Sequence, residues 1–174
     1  MQRVCLILFC LLMAGCAGPD VKHYAGERPQ LDLVAYFAGR TQAWGMVQKR
    51  GGEVTRRFHV VIDGTAEADR LVLDEHFTYS DGQRQQRVWT LRRQPDGAWK
   101  GTAADVVGDA LGTIAGNALN WRYTLRVPID GSDWDLQFDD WMFLMDERTL
   151  VNRASMSKFG VEVGQVTLFF RKGD

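Results

Sequence analysis

Four short turn signals at hairpin spacing constrain this chain more than any other feature: Gly51-Gly52, Ser80-Asp81-Gly82, Pro95-Asp96-Gly97 and Asp130-Gly131. Each separates two stretches in which apolar and polar residues alternate with period two, rich in β-branched and aromatic side chains. That is the pattern of half-buried strands joined by tight turns. Strands are expected over 40–50, 53–63, 69–79, 83–93, 98–107, 116–127, 133–145, 149–158 and 165–172. About nine consecutive antiparallel strands leave two long edges exposed unless the sheet curls shut. The expected fold is therefore all-β, an antiparallel up-and-down barrel or a strongly curled meander, as a single domain over 33–174.

The same turns set register. A three-residue loop at Ser80-Asp81-Gly82 pairs Leu71 with Leu91, Leu73 with Trp89 and Glu75 with Arg87. Pro95-Asp96-Gly97 treated likewise pairs Leu91 with Gly101, Trp89 with Ala103 and Arg87 with Asp105. A two-residue loop at Asp130-Gly131 pairs Val127 with Trp134, Leu125 with Leu136, Tyr123 with Phe138 and Trp121 with Asp140. The apolar faces match in all three hairpins, the condition a register must meet because a one-residue slip turns every side chain to the other face.

That interior face carries charge. Arg87 falls between Glu75 and Asp105, and a guanidinium forked between carboxylates is a tolerable way to bury ions. The cluster serves either to fix register or as a polar floor for a ligand's head group. Asn117 and Asp140 fall on the same face as Trp121 and Tyr123, with the Asp140 carboxylate expected to be satisfied by the Trp121 indole or by backbone. The candidate ligand-binding residues are Glu75, Arg87, Trp89, Asp105, Asn117, Trp121, Tyr123 and Asp140. Phe77, Trp99, Trp134, Phe138 and Trp141 are further aromatics that either line a cavity or fill the core. His59 and His76 fall on the opposite face, and no catalytic set is visible.

The stretch VVGDALGTIAGNALNW, 106–121, spaces Gly108, Gly112 and Gly116 four residues apart. A phosphate-binding loop needs a following helix and a Lys-Ser/Thr pair, which are missing. A membrane seam needs about twenty uninterrupted apolar residues, which Asp105, Asp109 and Asn117 break. The glycines fit a bent hairpin between strands ending near 107 and starting near 116, with one or two helical turns as the alternative.

At the N-terminus, Arg3 precedes an apolar run from Val4 to Met13, too short to span a bilayer and of the length of a signal sequence. It ends in Met13-Ala14-Gly15-Cys16, which resembles the lipobox of bacterial lipoproteins. The resemblance implies cleavage before Cys16, acylation of its sulfur and new amino group, and anchoring by several acyl chains; an ordinary signal peptide is the alternative. Cys5 and Cys10 leave with 1–15, so the mature chain has no second thiol for a disulfide, zinc site or redox pair, and no cofactor is expected. Residues 16–32, with Pro19 and Pro29, read as a tether. Ala17 after the cysteine favours the inner leaflet of the outer membrane, facing the periplasm. A net charge of −1 excludes wholesale nucleic-acid binding.

The segments YSDGQRQQRVWTL, GTAADVVGDALGTIAGNALNWRYTL, FDDWMFLMD and LVNRASMSKFGVEVGQVTLFF resemble an uncharacterised family of bacterial lipoproteins known only as a domain of unknown function, over about Phe37 to Phe170. The resemblance implies envelope localisation and transfers no catalytic residue. A looser architectural similarity is to lipocalin-like barrels, although Gly39 and Trp44 are too far apart for their opening Gly-x-Trp. Three functions stay open. One is a membrane-anchored module binding a small apolar or amphiphilic ligand such as a lipid. Another is an enzyme or accessory of lipid modification with Glu75, Asp105 or Asp140 as acid or base. The third is a structural lipoprotein that docks an envelope partner. The sequence does not set the oligomeric state.

Overall fold

The computed structural model describes residues 18–173; Cys16 and the apolar run before it lie outside them. Among the described residues the chain forms ten antiparallel strands: β1 (Gly39–Lys49), β2 (Val54–Glu67), β3 (Arg70–Tyr79), β4 (Arg84–Arg93), β5 (Trp99–Thr102), β6 (Ala110–Ala115), β7 (Ala118–Ile129), β8 (Ser132–Leu144), β9 (Thr149–Lys158) and β10 (Val161–Lys172). Each strand pairs with its sequence neighbours, and β1 pairs with both β2 and β10, closing the barrel. The expected class holds, with ten strands in place of nine.

The registers from Ser80-Asp81-Gly82 and Asp130-Gly131 are those observed, whereas that from Pro95-Asp96-Gly97 holds only as far as Thr102: the expected pairs Trp89–Ala103 and Arg87–Asp105 do not form as strand pairs, because β5 ends there and the chain crosses to β7. Leu71 lies opposite Leu91, Leu73 opposite Trp89 and Glu75 opposite Arg87; Leu91 lies opposite Gly101. Across β7 and β8, Tyr123 faces Phe138 and Trp121 faces Asp140. Asp130 and Gly131 both take positive φ, 49° and 77°, the conformation a two-residue hairpin loop requires. Inward positions supply a continuous core that includes Val60, Ile62, Leu71, Trp89, Trp121, Leu150 and Phe170.

The glycine-spaced stretch is where the structure departs from expectation. It carries a strand of its own, β6, and no helix. Gly108 and Gly116 are turn residues with φ of 75° and 56°. Gly112 lies mid-strand under Trp121: a Cβ there would come within 2.1 Å of the indole Cε3. Before β6, residues 103–107 leave the β4 edge and cross to β7, where Val107 donates to the Thr124 carbonyl at 2.9 Å and Arg126 N–H to the Asp105 carbonyl at 2.8 Å. The crossing brings the Asp105 side chain to Arg87.

One end of the barrel is closed. Helix α1 (Leu33–Phe37) is capped by the Asp32 carboxylate, which accepts from Ala35 N–H at 2.9 Å. Its C-terminal carbonyls of Ala35, Tyr36 and Ala38 accept from the Lys172 ammonium at 2.8, 2.7 and 2.9 Å. A cation at a helix C-terminus is the favourable pairing, and here it ties the plug to the last strand. The segment read as a tether is, from residue 20 onward, laid against this end: Val21 is buried, the Tyr24 ring meets Phe143 at 5.1 Å, and Leu31 N–H bonds the Gly116 carbonyl at 2.8 Å. The opposite end, bounded by the β1–β2, β3–β4, β7–β8 and β9–β10 turns, holds no such plug among the described residues.

Gly112→Ala is expected to destabilise the fold by about 1–3 kcal/mol, because the added Cβ overlaps the Trp121 indole, which must shift from its place against Trp89 to admit it. Thr113→Ala, one residue on and on the other face, is expected to cost under about 0.5 kcal/mol. Urea denaturation of the two variants checks this; equal midpoints would contradict the packing described.

Candidate functional site

Alternation along the strands delivers the interior side chains into one cavity of about 690 Å³. Leu33 and Phe37 of α1 form its floor, Trp89, Trp121, Tyr123 and Phe138 part of its wall, and Arg56 and Gln83 lie at its mouth. Tyr123 stacks on Phe138 with ring centroids 4.9 Å apart and meets Trp89 edge-on at 5.5 Å. This is an apolar enclosure with a few convergent polar groups, the usual composition of a small-molecule site.

The first polar group is the expected cluster. Arg87 grips Asp105 with two nitrogens, Nε at 2.9 Å and Nη2 at 2.8 Å from Oδ2. Glu75 approaches Arg87 Nη1 at 3.8 Å, an ion pair without a hydrogen bond. Burial pushes the Glu75 carboxyl up to about 7, against the pull of Arg87. Arg87 stays charged: burial opposes its cation, but Glu75 and the hydrogen-bonded Asp105 together raise its pKa.

The second is Asp140. Its carboxylate accepts from Asn152 Nδ2 and from the Tyr123 hydroxyl, neither of which is charged. Burial, only partly opposed by Asn152, pushes it up to about 7. Asn152 also donates to the Trp141 carbonyl at 3.2 Å, while its own Oδ1 is buried without a partner. The Trp121 indole and the backbone, expected to satisfy Asp140, are not what holds it.

Seven of the eight candidate residues, Glu75, Arg87, Trp89, Asp105, Trp121, Tyr123 and Asp140, line this one cavity. Asn117 does not. It sits in the two-residue turn between β6 and β7 and donates to the Leu144 carbonyl at 3.2 Å, because inward alternation resumes only at Leu119. Trp141 faces outward, stacked on Phe143, and Trp134 is 40% exposed near the mouth, so neither lines the cavity. Trp99 fills core. His59 and His76 lie on the outer face, beside Gln42 and Asp74. Asn152 was missed, although the strand expected over 149–158 places it inward between Leu150 and Ala154.

Residues 10–172 match the family described as "Protein of unknown function (DUF3833)", and the chain belongs to that family. No curated protein matches the sequence. Among solved structures, the S-type phycobiliprotein lyase CPES from Guillardia theta aligns with a TM-score of 0.62 at 8% identity, over 90% of this chain and 99% of that one. That likeness is one of fold, a lipocalin-like barrel. Two barrels bound to DFHBI are more distant: EF1p2_mFAP2b has a TM-score of 0.45 at 9% identity, over 79% of this chain and 94% of that one. The redesigned mFAP0 has a TM-score of 0.43 at 11% identity, over 79% and 99%.

Two outcomes follow from the buried charges. Arg87→Ala strands two carboxylates and is expected to cost about 3–5 kcal/mol, whereas Arg87→Met paired with Glu75→Gln and Asp105→Asn is expected to cost far less. Thermal denaturation of the two forms checks it; equal losses would mean the cluster contributes nothing as a unit. Glu75 and Asp140 hold their protons to about 7 in the fold, above their ordinary 4.5 and 3.8. Unfolding releases those protons, so the stability these two groups contribute is fully present below about pH 4 and is lost as pH rises through about 7, about 3–4 kcal/mol for each. Carboxylates held low by ion pairs, Asp63 by Arg40 and Asp135 by Arg126, titrate below that window. Between pH 5 and 8 the wild-type melting temperature should drop, and the drop should shrink in Asp140→Asn. A wild-type profile that rises over the same interval would contradict the assignment.

Proposed function

We propose that this member of the DUF3833 family is an envelope lipoprotein whose barrel binds one small amphiphilic molecule, such as a lipid. The observation that carries the reading is the cavity: about 690 Å³, apolar walls, one plugged end, and a polar cluster part-way along it. A barrel serving only as a rigid body would have its interior filled by side chains. Here the interior leaves volume of the size that holds a small ligand, and it retains Glu75, Arg87, Asp105 and Asp140 where apolar residues would be more stable.

Anchoring enters from the sequence. Cys16 follows a signal-like apolar run and is proposed as the acylated first residue of the mature chain, on the inner leaflet of the outer membrane. Residues 21–24 lie at the plugged end, so the mouth opens away from the side on which the anchor would attach, toward the periplasm. Cys16→Ser is expected to yield soluble protein or an uncleaved precursor; unchanged membrane fractionation would contradict anchoring.

Native mass spectrometry of protein extracted from its own membranes tests the carrier reading. A one-to-one lipid-sized adduct, lost on denaturation, is expected; a bare chain in every preparation would refute it. A second reading, docking of an envelope partner or lipid-modifying enzyme, draws on the outer wall. Trp44 and Phe169, paired across β1 and β10, are 49% and 43% exposed beside His59, in an apolar hollow of about 530 Å³. In that reading Trp44→Ser with Phe169→Ser abolishes partner crosslinking and leaves the cavity unchanged.

A further inference from the structure

The cavity's cations are engaged by carboxylates, whereas one of its carboxylates has no cation among the described residues. Arg87 is its interior cation, and Asp105 and Glu75 engage it. The cations near the mouth are also paired, Arg56 with Asp81, Arg126 with Asp135 and Lys49 with Glu53. In the interior the unpartnered buried atom is an acceptor; the unpartnered buried donor, Arg56 Nε, belongs to a side chain at the mouth. Asp140 forms no ion pair among the described residues, and its two donors are neutral. Asn152 Oδ1 is buried with no donor at all, in a residue only 1% exposed. Glu75 accepts no hydrogen bond among the described residues, and its Arg87 contact, at 3.8 Å, is long. These groups line the same cavity, and Glu75 is near enough to raise the proton affinity of Asp140.

We infer that the polar end of the bound amphiphile is a protonated primary amine, seated against Asp140 and Asn152 Oδ1 with the Glu75 carboxylate facing it. An ammonium supplies three N–H donors and a positive charge. The charge offsets the one carboxylate that lacks a cation, and a donor satisfies the one orphaned acceptor. An alcohol supplies a single donor and leaves Asp140 unneutralised. A carboxylate or phosphate adds negative charge to an interior that already sets three carboxylates, Glu75, Asp105 and Asp140, against one guanidinium, Arg87, which Asp105 and Glu75 already engage. The apolar part of the ligand then lies along Trp89, Tyr123 and Phe138 toward the mouth. This inference rests on the carrier reading and names the ligand class for it.

The test uses the full-length protein in lipid nanodiscs and four water-soluble probes of one chain length: hexylamine, hexanol, hexanoate and hexyltrimethylammonium, titrated calorimetrically at pH 8. Hexylamine is expected to bind at least ten-fold more tightly than hexanol or hexanoate. Hexyltrimethylammonium, charged but without N–H donors, should be several-fold weaker than the amine. Asp140→Asn should remove the amine preference, bringing hexylamine down to the affinity of hexanol. Glu75→Gln, which leaves the Asp140–Asn152 contact intact, should weaken the amine several-fold and serves if Asp140→Asn does not fold. Saturable binding with hexanoate equal to or tighter than hexylamine, or an amine preference that survives both substitutions, would overturn the head-group assignment while the carrier reading stands. No saturable binding of any probe would overturn both.

Discussion

Everything in this molecule depends on β1 pairing twice, with β2 along one side and β10 along the other. An open ten-strand meander would present two long unpaired edges and a single buried face; closure removes the edges and converts that face into an enclosed interior. The enclosure gives ion clusters and orphaned acceptors their energetic weight, since the same groups in water would cost little. The plug follows from closure too. Lys172, the last residue of β10, reaches three carbonyls of the helix that immediately precedes β1, so the two strands that complete the ring also hold its floor.

The interior then carries two polar centres of different character. Around Arg87 the charges compensate one another, and the bidentate grip on Asp105 is the strong geometry for a guanidinium. Around Asp140 they do not, since its partners are an amide and a phenol. A barrel selected for stability alone would replace Asp140 with a leucine and Asn152 with a second apolar residue. Retaining an under-compensated carboxylate beside an empty volume costs stability at neutral pH, and such a cost is usually recovered on binding.

Much of this architecture was legible because the turns are chemically explicit. Once Asp130-Gly131 is read as a two-residue loop, Tyr123 must face Phe138 and Trp121 must face Asp140. Once Ser80-Asp81-Gly82 is read as three, Glu75 must face Arg87. Strand β6 was not legible, and the reason is physical. Two of its inward positions are Ala110 and Gly112, the latter kept small beneath Trp121, while outward Leu111 is 60% exposed, so over its first half the larger apolar side chain points away from the core and only Ile114 marks the inward face. Helix α1 has five residues, too few for a periodic signal, and is held by a lysine 134 to 137 positions away in the chain. Asn117 was misplaced because counting back by twos from Trp121 runs through the turn before the strand begins. Asn152 was overlooked because a lone amide among apolar residues gives no sign, without a partner strand, that it faces a carboxylate.

The central claim is that the interior, and not the outer wall, receives the ligand. The six tryptophans report both places at once. Trp89 and Trp121 line the cavity, whereas Trp44 and Trp134 stand 49% and 40% exposed outside it. Indole N–H resonances followed by NMR during titration with an alkylamine separate the two directly. Saturable shifts at Trp89 and Trp121 with Trp44 and Trp134 unmoved are the predicted result. Shifts confined to Trp44 or Trp134, with the cavity indoles silent, would contradict the account.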